Sequence, residues 1–183
     1  SEFSALKHDK IYSRHSRAGQ FISKTISKVL ETDTPMRYKK AQEHLSDWDL
    51  STDHQNRGAA LGTCIIGGEW LAEQAGEPAP EPISELKRCT DSLIAATGKI
   101  DPKWGDVNRH IRGQLNLPVA GGPDTLRAIY GLGLENDGFL TNVAGDGLYY
   151  LISWNDQQQT IRGIHQFGSA TLDDSSPHYA DQT

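Results

Sequence analysis

The sequence predicts an α+β fold, in which a helical N-terminal half is followed by a mostly antiparallel sheet. Apolar residues recur at helical spacing as far as Gly98, a residue type that often ends a helix. Beyond Gly98 the pattern changes to short apolar runs separated by glycine-rich turns, which is typical of strands. We therefore divide the 183 residues into a helical segment, 1–98, and a β-rich segment, 99–183.

Two helices are predicted before residue 50. The first carries an apolar stripe on one face, and the second begins with Thr34 as its N-cap and Pro35 at its first helical position. The first stripe is formed by Ile11, Ala18, Phe21, Ile22, Ile26, Val29 and Leu30. The apolar face of the second helix is formed by Tyr38, Ala41, Leu45 and Trp48.

A third helix is predicted over residues 53–76, with Asp49 in the segment that caps it. Each glycine inside a helix costs about 1 kcal/mol relative to alanine, so its glycines indicate that another element packs closely there. A stiff, exposed connector is predicted over residues 77–82, and a fourth helix over 84–97. The glycines of the third helix are Gly58, Gly62, Gly67 and Gly68, and its apolar residues are Leu61, Ile65, Ile66 and Leu71. The apolar residues of the fourth helix are Leu86, Cys89, Leu93 and Ile94.

Four or five strands are predicted in the second segment. The run 148–152 is almost continuously apolar, which favours a central strand covered on both faces. Asn136, Asp137 and Gly138 have the chemistry of a hairpin turn. The predicted strands cover residues 115–119, 126–134, 139–143, 148–154 and 160–167.

Composition restricts the function. The formal charge is −6, which argues against a non-specific nucleic-acid partner or an anionic membrane surface. No apolar run is long enough to span a bilayer, and the chain does not begin with a signal-peptide pattern. We therefore expect either a cytoplasmic chain or an internal piece of a longer one. Ser1, Glu2 and Phe3 are interpreted as a remnant of cloning or processing.

The two cysteines, Cys64 and Cys89, have no histidines at zinc-site spacing. We interpret them as two buried free thiols that pack as small apolar groups. The alternative is a disulfide, which would contribute about 3 kcal/mol by closing the loop between them.

The seven histidines do not form a metal site. His8 and His15 could share a helix face but are interpreted as surface residues. His110, near Arg109 and Arg112, indicates either a basic surface patch or internal pairing. His165 lies in a strand pattern and is interpreted as a hydrogen-bonded structural residue.

Near the end of the chain, His178, Tyr179 and Asp181 have the residue types of a catalytic relay. Relay groups usually converge from distant segments, so we predict instead that this tail is tied to the body by bonds from side chains to the backbone. Ser1 could act as a nucleophile with its own α-amine as base, although nothing after it supplies a recognisable oxyanion donor. We predict no catalytic, cofactor-binding or metal-binding residue in this chain.

Several segments, in this order, resemble the penicillin acylases, a family that includes acyl-homoserine lactone acylases and aculeacin-type acylases. The resemblance covers nearly the whole chain, and its specificity comes from the order and spacing of the motifs. The matching segments are Leu45-Ser46-Asp47-Trp48-Asp49, Arg57-Gly58-Ala59-Ala60-Leu61, Trp104-Gly105-Asp106-Val107-Asn108-Arg109, Leu117-Pro118-Val119-Ala120-Gly121-Gly122-Pro123 with Leu126-Arg127-Ala128, Gly145-Asp146 and Ser176-Pro177-His178-Tyr179-Ala180-Asp181-Gln182.

The resemblance implies part of the αββα fold of an N-terminal nucleophile hydrolase in the periplasm or outside the cell. In such enzymes a precursor cuts itself, and the new N-terminal serine of the β chain attacks an amide with an apolar acyl group. An asparagine side chain and a backbone N–H hold the oxyanion. The chain resembles only the C-terminal part of a β chain, and Ser1-Glu2-Phe3 does not match the family's Ser-Asn start. The implied nucleophile therefore lies outside this chain, and the implied partners are the remaining α-chain and β-chain segments.

Three functions are consistent with these observations. The first is an acylase fragment that is inactive alone and exposes an apolar face where the missing segments dock. The second is a binding or scaffold domain with the family fold and an intact surface. The third is a minimal enzyme that uses Ser1.

Overall fold

The computed structural model describes residues 22–123, 125, 127–164, 175, 176 and 179, and these residues have the predicted α+β fold. The helices lie mainly in the N-terminal half, and a four-stranded, mostly antiparallel sheet and a separate two-stranded sheet follow. Some predictions concern residues outside these ranges and are therefore not tested. These residues are Ser1, Glu2, Phe3, His8, Ile11, His15, Ala18, Phe21, Leu126, His165, His178 and Asp181.

The N-terminal helices are short and held together by one glutamine. A π-helical turn, Ile22–Ile26, continues into α1, Ser27–Glu31, and α2 covers Met36–Ser46. Gln42 of α2 is buried because its amide nitrogen donates to the carbonyls of Val29, at 2.6 Å, and Thr32, at 3.0 Å, beyond the end of α1. Those carbonyls have no partner inside their own helix, so Gln42 supplies the donor that they need.

The predicted cap of α2 is wrong by one position. The N-cap residue is Pro35, whose ψ of 141° is extended, and Thr34 instead donates its hydroxyl to the carbonyl of Thr32. The predicted apolar face is correct: Tyr38, Ala41 and Leu45 are buried.

The third helix, α3, covers Ala59–Ala75 and begins later than predicted. The preceding loop is organised by polar side chains: Asp49 accepts hydrogen bonds from the backbone of Ser51 and from the side chain of Asn56, both at 2.9 Å. Asn56 then caps the helix by accepting from the N–H groups of Gly58 and Ala59. The predicted cap, Asp49, therefore orders the loop, and Asn56 caps the helix.

Close packing explains three of the four glycines in this region. A Cβ atom on Gly58 or Gly62 would overlap the buried indole of Trp48, and a Cβ atom on Gly68 would overlap the carboxylate of Glu85. A Cβ atom on Gly67 would meet nothing within 4 Å. The prediction of a close neighbour is confirmed at three positions and is wrong at Gly67.

The fourth helix, α4, covers Pro82–Thr97 and begins two residues earlier than predicted. It begins at Pro82 because the carboxylate of Glu81 accepts hydrogen bonds from the backbone N–H groups of Ile83 and Ser84, which lowers the pKa of Glu81. Gly98, with φ of 71°, ends the helix as predicted. Of the predicted apolar face, Leu86, Cys89 and Leu93 are buried, whereas Ile94 is 44% exposed.

The larger sheet has the strand order β2-β1-β4-β3 and follows a short helix, α5, Trp104–Val107. Its strands are β1, Asn108–Arg112, β2, Leu115–Pro118, β3, Ile129–Leu132, and β4, Leu140–Gly145. The outer pairs are antiparallel, and β1 and β4 are parallel in the middle. The predicted hairpin turn at Asn136, Asp137 and Gly138 is wrong: a short helix, α6, Leu134–Asp137, links β3 and β4 between left-handed glycines.

The second sheet is a hairpin of β5, Tyr149–Trp154, and β6, Gln159–Ile164. It pairs with no third strand in the described part of the chain, so the prediction of a central strand there is wrong. Tyr150, Ile152 and Trp154 alternate onto one face and are 46–75% exposed.

The core lies between the helices and the first sheet. Val29, Leu61, Ile65, Leu86 and Val107 are at most 1% exposed, and the cluster that contains them joins α1, α3, α4 and α5. Among the described helices, none is both long and apolar enough to cross a membrane.

Gly62→Ala should destabilise the fold by about 1–3 kcal/mol, because the new methyl group would overlap the indole of Trp48 in a packed core. Gly67→Ala, five residues along the same helix, is the matched control. It should stabilise the fold by about 1 kcal/mol, because alanine favours a helix and meets no neighbour here. Urea unfolding of both variants measures the difference, and equal effects would contradict this account of α3.

Candidate functional site

A cavity of about 660 Å³ lies between α3, α4, α6 and strands β3 and β4, and we call it the α3–β3 cavity. Most of its lining is apolar. Its volume is in the range of small-molecule sites, and we take it as the candidate functional site.

One wall of the cavity is a stripe along α3. Ala60, Thr63, Gly67 and Trp70 line it at intervals of three or four residues, as expected for a single helix face. Gly67 lies at the middle of this stripe. Leu71, the predicted apolar residue at the end of the same face, is 62% exposed at the rim.

The opposite wall comes from β3, β4 and α6. The ring of Tyr130 lies against Trp70, with ring centroids 5.1 Å apart and the planes tilted by 32°. Leu140 and Ala144 of β4 add apolar surface. The aromatic contact joins α3 to β3, and both residues belong to the lining of the cavity.

A disulfide between Cys64 and Cys89 joins α3 to α4, so the prediction of two free thiols is wrong and its alternative is correct. The helices pack so that the two Cα atoms are 5.9 Å apart, which is within the range a disulfide requires. Cys64 lines the cavity, and Cys89 is fully buried behind it. Cys89 lies on the predicted apolar face of the fourth helix, a position that suits a thiol and a disulfide equally.

An ion pair beside the disulfide neutralises the charge at that edge. The guanidinium of Arg88 donates to both carboxylate oxygens of Glu85, and this hydrogen bonding raises the pKa of Arg88. The same guanidinium lies 3.3 Å from the sulfur of Cys89 and 3.4 Å from that of Cys64. Glu85 is only 5% exposed, and Gly68 leaves the space that its carboxylate fills. The buried carboxylate is therefore paired.

Two residues of the lining, Trp104 and Asn108, belong to a cluster of polar contacts around Gly121. The indole N–H of Trp104 donates to the carbonyl of Gly121 at 2.7 Å, and the side-chain amide of Asn108 donates to the carbonyl of Val119 at 3.0 Å. The N–H of Gly121 donates to the carbonyl of Thr52 at 3.0 Å. Asn108 is 1% exposed, so these bonds satisfy a buried polar side chain.

The structure places His110 inside the protein rather than in a surface patch. It is 8% exposed in β1, and burial lowers its pKa, with further lowering from Arg112 and Arg127. Arg109, its neighbour, points elsewhere and donates to the side chain of Asn116 at 2.8 Å.

Tyr179 is tied to the body of the protein as predicted for the tail. Its hydroxyl donates to the backbone carbonyl of Arg112 at 2.8 Å, and the guanidinium of Arg112 lies 4.5 Å from its ring centroid. Gly113, with φ of 56°, leaves room for the hydroxyl, because a Cβ atom there would overlap it. The side chain of Tyr179 thus has the clasp role inferred from the sequence.

Glu69 is a buried acid that sequence reasoning did not single out. It is 4% exposed in α3, and burial raises its pKa, whereas the nearby charges of Lys24 and Lys28 lower it. One of its carboxylate oxygens is buried and has no hydrogen-bond partner among the residues that the structure describes. Glu69 follows Ile65 by one turn and therefore lies on the apolar face predicted for this helix, so its position is the sequence signal of its burial.

Metal binding finds no support in the described ranges, where no three His, Cys, Asp or Glu side chains group at metal-binding distance. The sequence matches no protein-family model, and it matches no curated protein at a significant level.

Reducing the disulfide should lower the free energy of unfolding by about 3 kcal/mol, because the loop of 25 residues that it closes becomes unconstrained in the unfolded chain. Urea unfolding with and without a dithiol reductant measures this loss. The double variant Cys64→Ser/Cys89→Ser should have the stability of the reduced protein both with and without the reductant, because it has no disulfide to lose. Labelling of two free thiols in the unreduced, denatured chain would contradict the disulfide.

Glu69→Gln should raise the melting temperature at neutral pH. Because burial raises the pKa of Glu69, the folded state keeps its proton to a higher pH than the unfolded state does. Its contribution to stability is therefore full below the ordinary glutamate pKa and is lost as the pH rises through the folded pKa. Thermal unfolding across this pH range should show the gain disappear in acid. Glu43→Gln, which removes an exposed acid on α2, is the control and should leave the melting temperature nearly unchanged.

Proposed function

We propose that this chain is the C-terminal portion of an amidohydrolase of the penicillin acylase family. The parent enzyme would cleave an amide and release its acyl group through an acyl-enzyme on an N-terminal serine outside this chain. Penicillins, acyl-homoserine lactones and lipopeptides are the substrate types. In this proposal the described helices and sheet brace the catalytic core and are inactive alone.

The contacts among the resembling segments support the proposal best. Trp48 of the first segment packs on Gly58 of the second, and Trp104 of the third donates to Gly121 of the fourth. The loop between the first two segments reaches the others, because Thr52 accepts from Gly121 and His54 accepts from Gly105 at 2.8 Å. Segments that are dispersed along the sequence thus form one packed unit. Such contacts are expected if the segments together form one structural part of the parent enzyme.

Exposed apolar side chains favour a fragment over a self-contained scaffold domain. Trp154 is 75% exposed, Leu132 67% and Val143 60%. Leu132 and Val143 lie on the paired strands β3 and β4, and contiguous exposed apolar surface marks a region that is covered in an assembly. A scaffold domain with an intact surface would be expected to bury more of them, so the alternative function has less support.

Assays of amide hydrolysis test the proposal. The 183-residue chain should not hydrolyse chromogenic amides of arylacetic or fatty acids above the buffer rate, and Ser1→Ala should change nothing. The longer product of the same gene, including the residues that precede this chain, should hydrolyse at least one of them. A serine-reactive sulfonyl fluoride should label that longer product and leave the 183-residue chain at its unmodified mass.

Two results would overturn the proposal. The first is hydrolysis by the 183-residue chain that is lost on Ser1→Ala, which would support the minimal enzyme instead. The second is a longer product that folds but hydrolyses none of the amides. A monodisperse chain that unfolds cooperatively and hydrolyses nothing in either form would support the scaffold domain.

A further inference from the structure

Gly67 is a mid-helix glycine that close packing does not require. Gly58, Gly62 and Gly68 each have a bulky neighbour in the space of the missing side chain, but a Cβ atom on Gly67 would meet nothing within 4 Å. Glycine weakens a helix interior relative to any ordinary residue. The sequence therefore carries a destabilising residue whose effect on the fold is to leave a space empty.

That empty space is the middle of the α3–β3 cavity. Gly67 follows Thr63 and precedes Trp70 on the cavity-lining face of α3, so a side chain there would project between the helix and the opposite wall. Gly131 and Gly133 line the facing side and contribute no side chain either. At those two positions packing accounts for the glycine, because a Cβ atom would meet the side chain of Leu140 at Gly131 and of Asp137 at Gly133. Gly67 is the lining glycine that leaves open space.

The cavity is suited to an uncharged occupant. Arg88 and Glu135 are the charged residues among its described lining, and Arg88 is already paired with Glu85. An anion would approach the carboxylates of Glu85 and Glu135, which both lie near Arg88. A cation would have to compete with Arg88 for Glu85. Trp70 and Tyr130 offer aromatic surface to a ring.

Ser92 supplies a polar group in the wall. Its hydroxyl lies in the lining and has no hydrogen-bond partner among the described residues. A few polar groups in an otherwise apolar cavity are what orient a small ligand. A ligand with a single neutral N–H or O–H would satisfy this hydroxyl.

We propose that the α3–β3 cavity binds a small, neutral, largely aromatic molecule with one hydrogen-bonding group, and that Gly67 is the residue that makes room for it. The molecule packs between Gly67 and the Trp70–Tyr130 pair and shares a hydrogen bond with Ser92. The proposal rests on the cavity itself and does not depend on the proposed function of the parent enzyme.

Fluorescence titration of the 183-residue chain with N-phenyl-1-naphthylamine tests the proposal. This probe is neutral, aromatic and carries one N–H, and its sulfonated analogue, 1-anilinonaphthalene-8-sulfonate, is the matched anion. The neutral probe should bind with one-to-one stoichiometry and about tenfold more tightly than the anion. Gly67→Leu should weaken it by about tenfold or more, because the new side chain occupies the same space. Gly67→Ala should have a smaller effect.

Two controls make the outcome decisive. Gly147→Leu adds the same side chain at a position outside the cavity where a Cβ atom also meets nothing, and it should leave binding unchanged. Ile152→Thr reduces the exposed apolar face of β5 and should also leave it unchanged. Leucine is a better helix former than glycine, and circular dichroism should show that Gly67→Leu stays folded.

Three results would overturn the proposal. Binding that survives Gly67→Leu but falls with Ile152→Thr would place the probe on the exposed hairpin. Equal binding of the neutral and anionic probes would contradict the electrostatic argument. No binding of the neutral probe by the folded chain would also reject the proposed ligand class, and apolar peptides that bind in its place would identify the cavity as a docking groove.

Discussion

The backbone of Gly121 is the point on which the arrangement of this protein depends. Its carbonyl accepts from the indole of Trp104, and its N–H donates to the carbonyl of Thr52. These two bonds hold α5 and the loop before α3 against the turn that leads into β3. Gly121 has φ of 95°, and a Cβ atom there would overlap the backbone carbonyl of Arg127, so another residue type would strain the backbone and disturb both bonds. Helical layer and sheet thus meet at a residue with no side chain.

Glycine has two opposite effects around α3. At Gly62 its lack of a side chain allows close packing, because the indole of Trp48 takes the space. At Gly67 it leaves a gap, and the disulfide of Cys64 and Cys89 keeps the helix that bears the gap attached to α4. A rigid frame around an open cavity is more suited to a preformed binding site than to a core that could collapse into the space.

The sequence predicts well where a local interaction decides the structure. Gly98 ends α4 because a left-handed residue satisfies the last carbonyls, and this chemistry is visible in the sequence. Prediction fails where the partner is distant. A hairpin turn and a short helix both suit Asn136 to Gly138, and the continuous apolar run at β5 does not reveal whether anything covers it. Strand β1 is polar and was not predicted. Its Asn108 is buried because the side-chain amide donates to the carbonyl of Val119, a distant partner that the local sequence does not reveal. Likewise, no local pattern separates Gly67 from the other glycines of α3, so the candidate site emerged only from the fold.

The middle of the larger sheet has a consequence for how the chain folds. The β1–β2 and β3–β4 pairs each join neighbouring segments of sequence. The parallel pairing of Asn108 with Leu140 and of Arg109 with Thr141 is short, and its two strands are separated in the sequence by β2, β3 and α6. Of the three strand pairings in this sheet, the parallel one costs the most loop-closure entropy and forms the fewest hydrogen bonds. Each hairpin can therefore appear early and independently, and the joining of the two is the step expected to limit the folding rate.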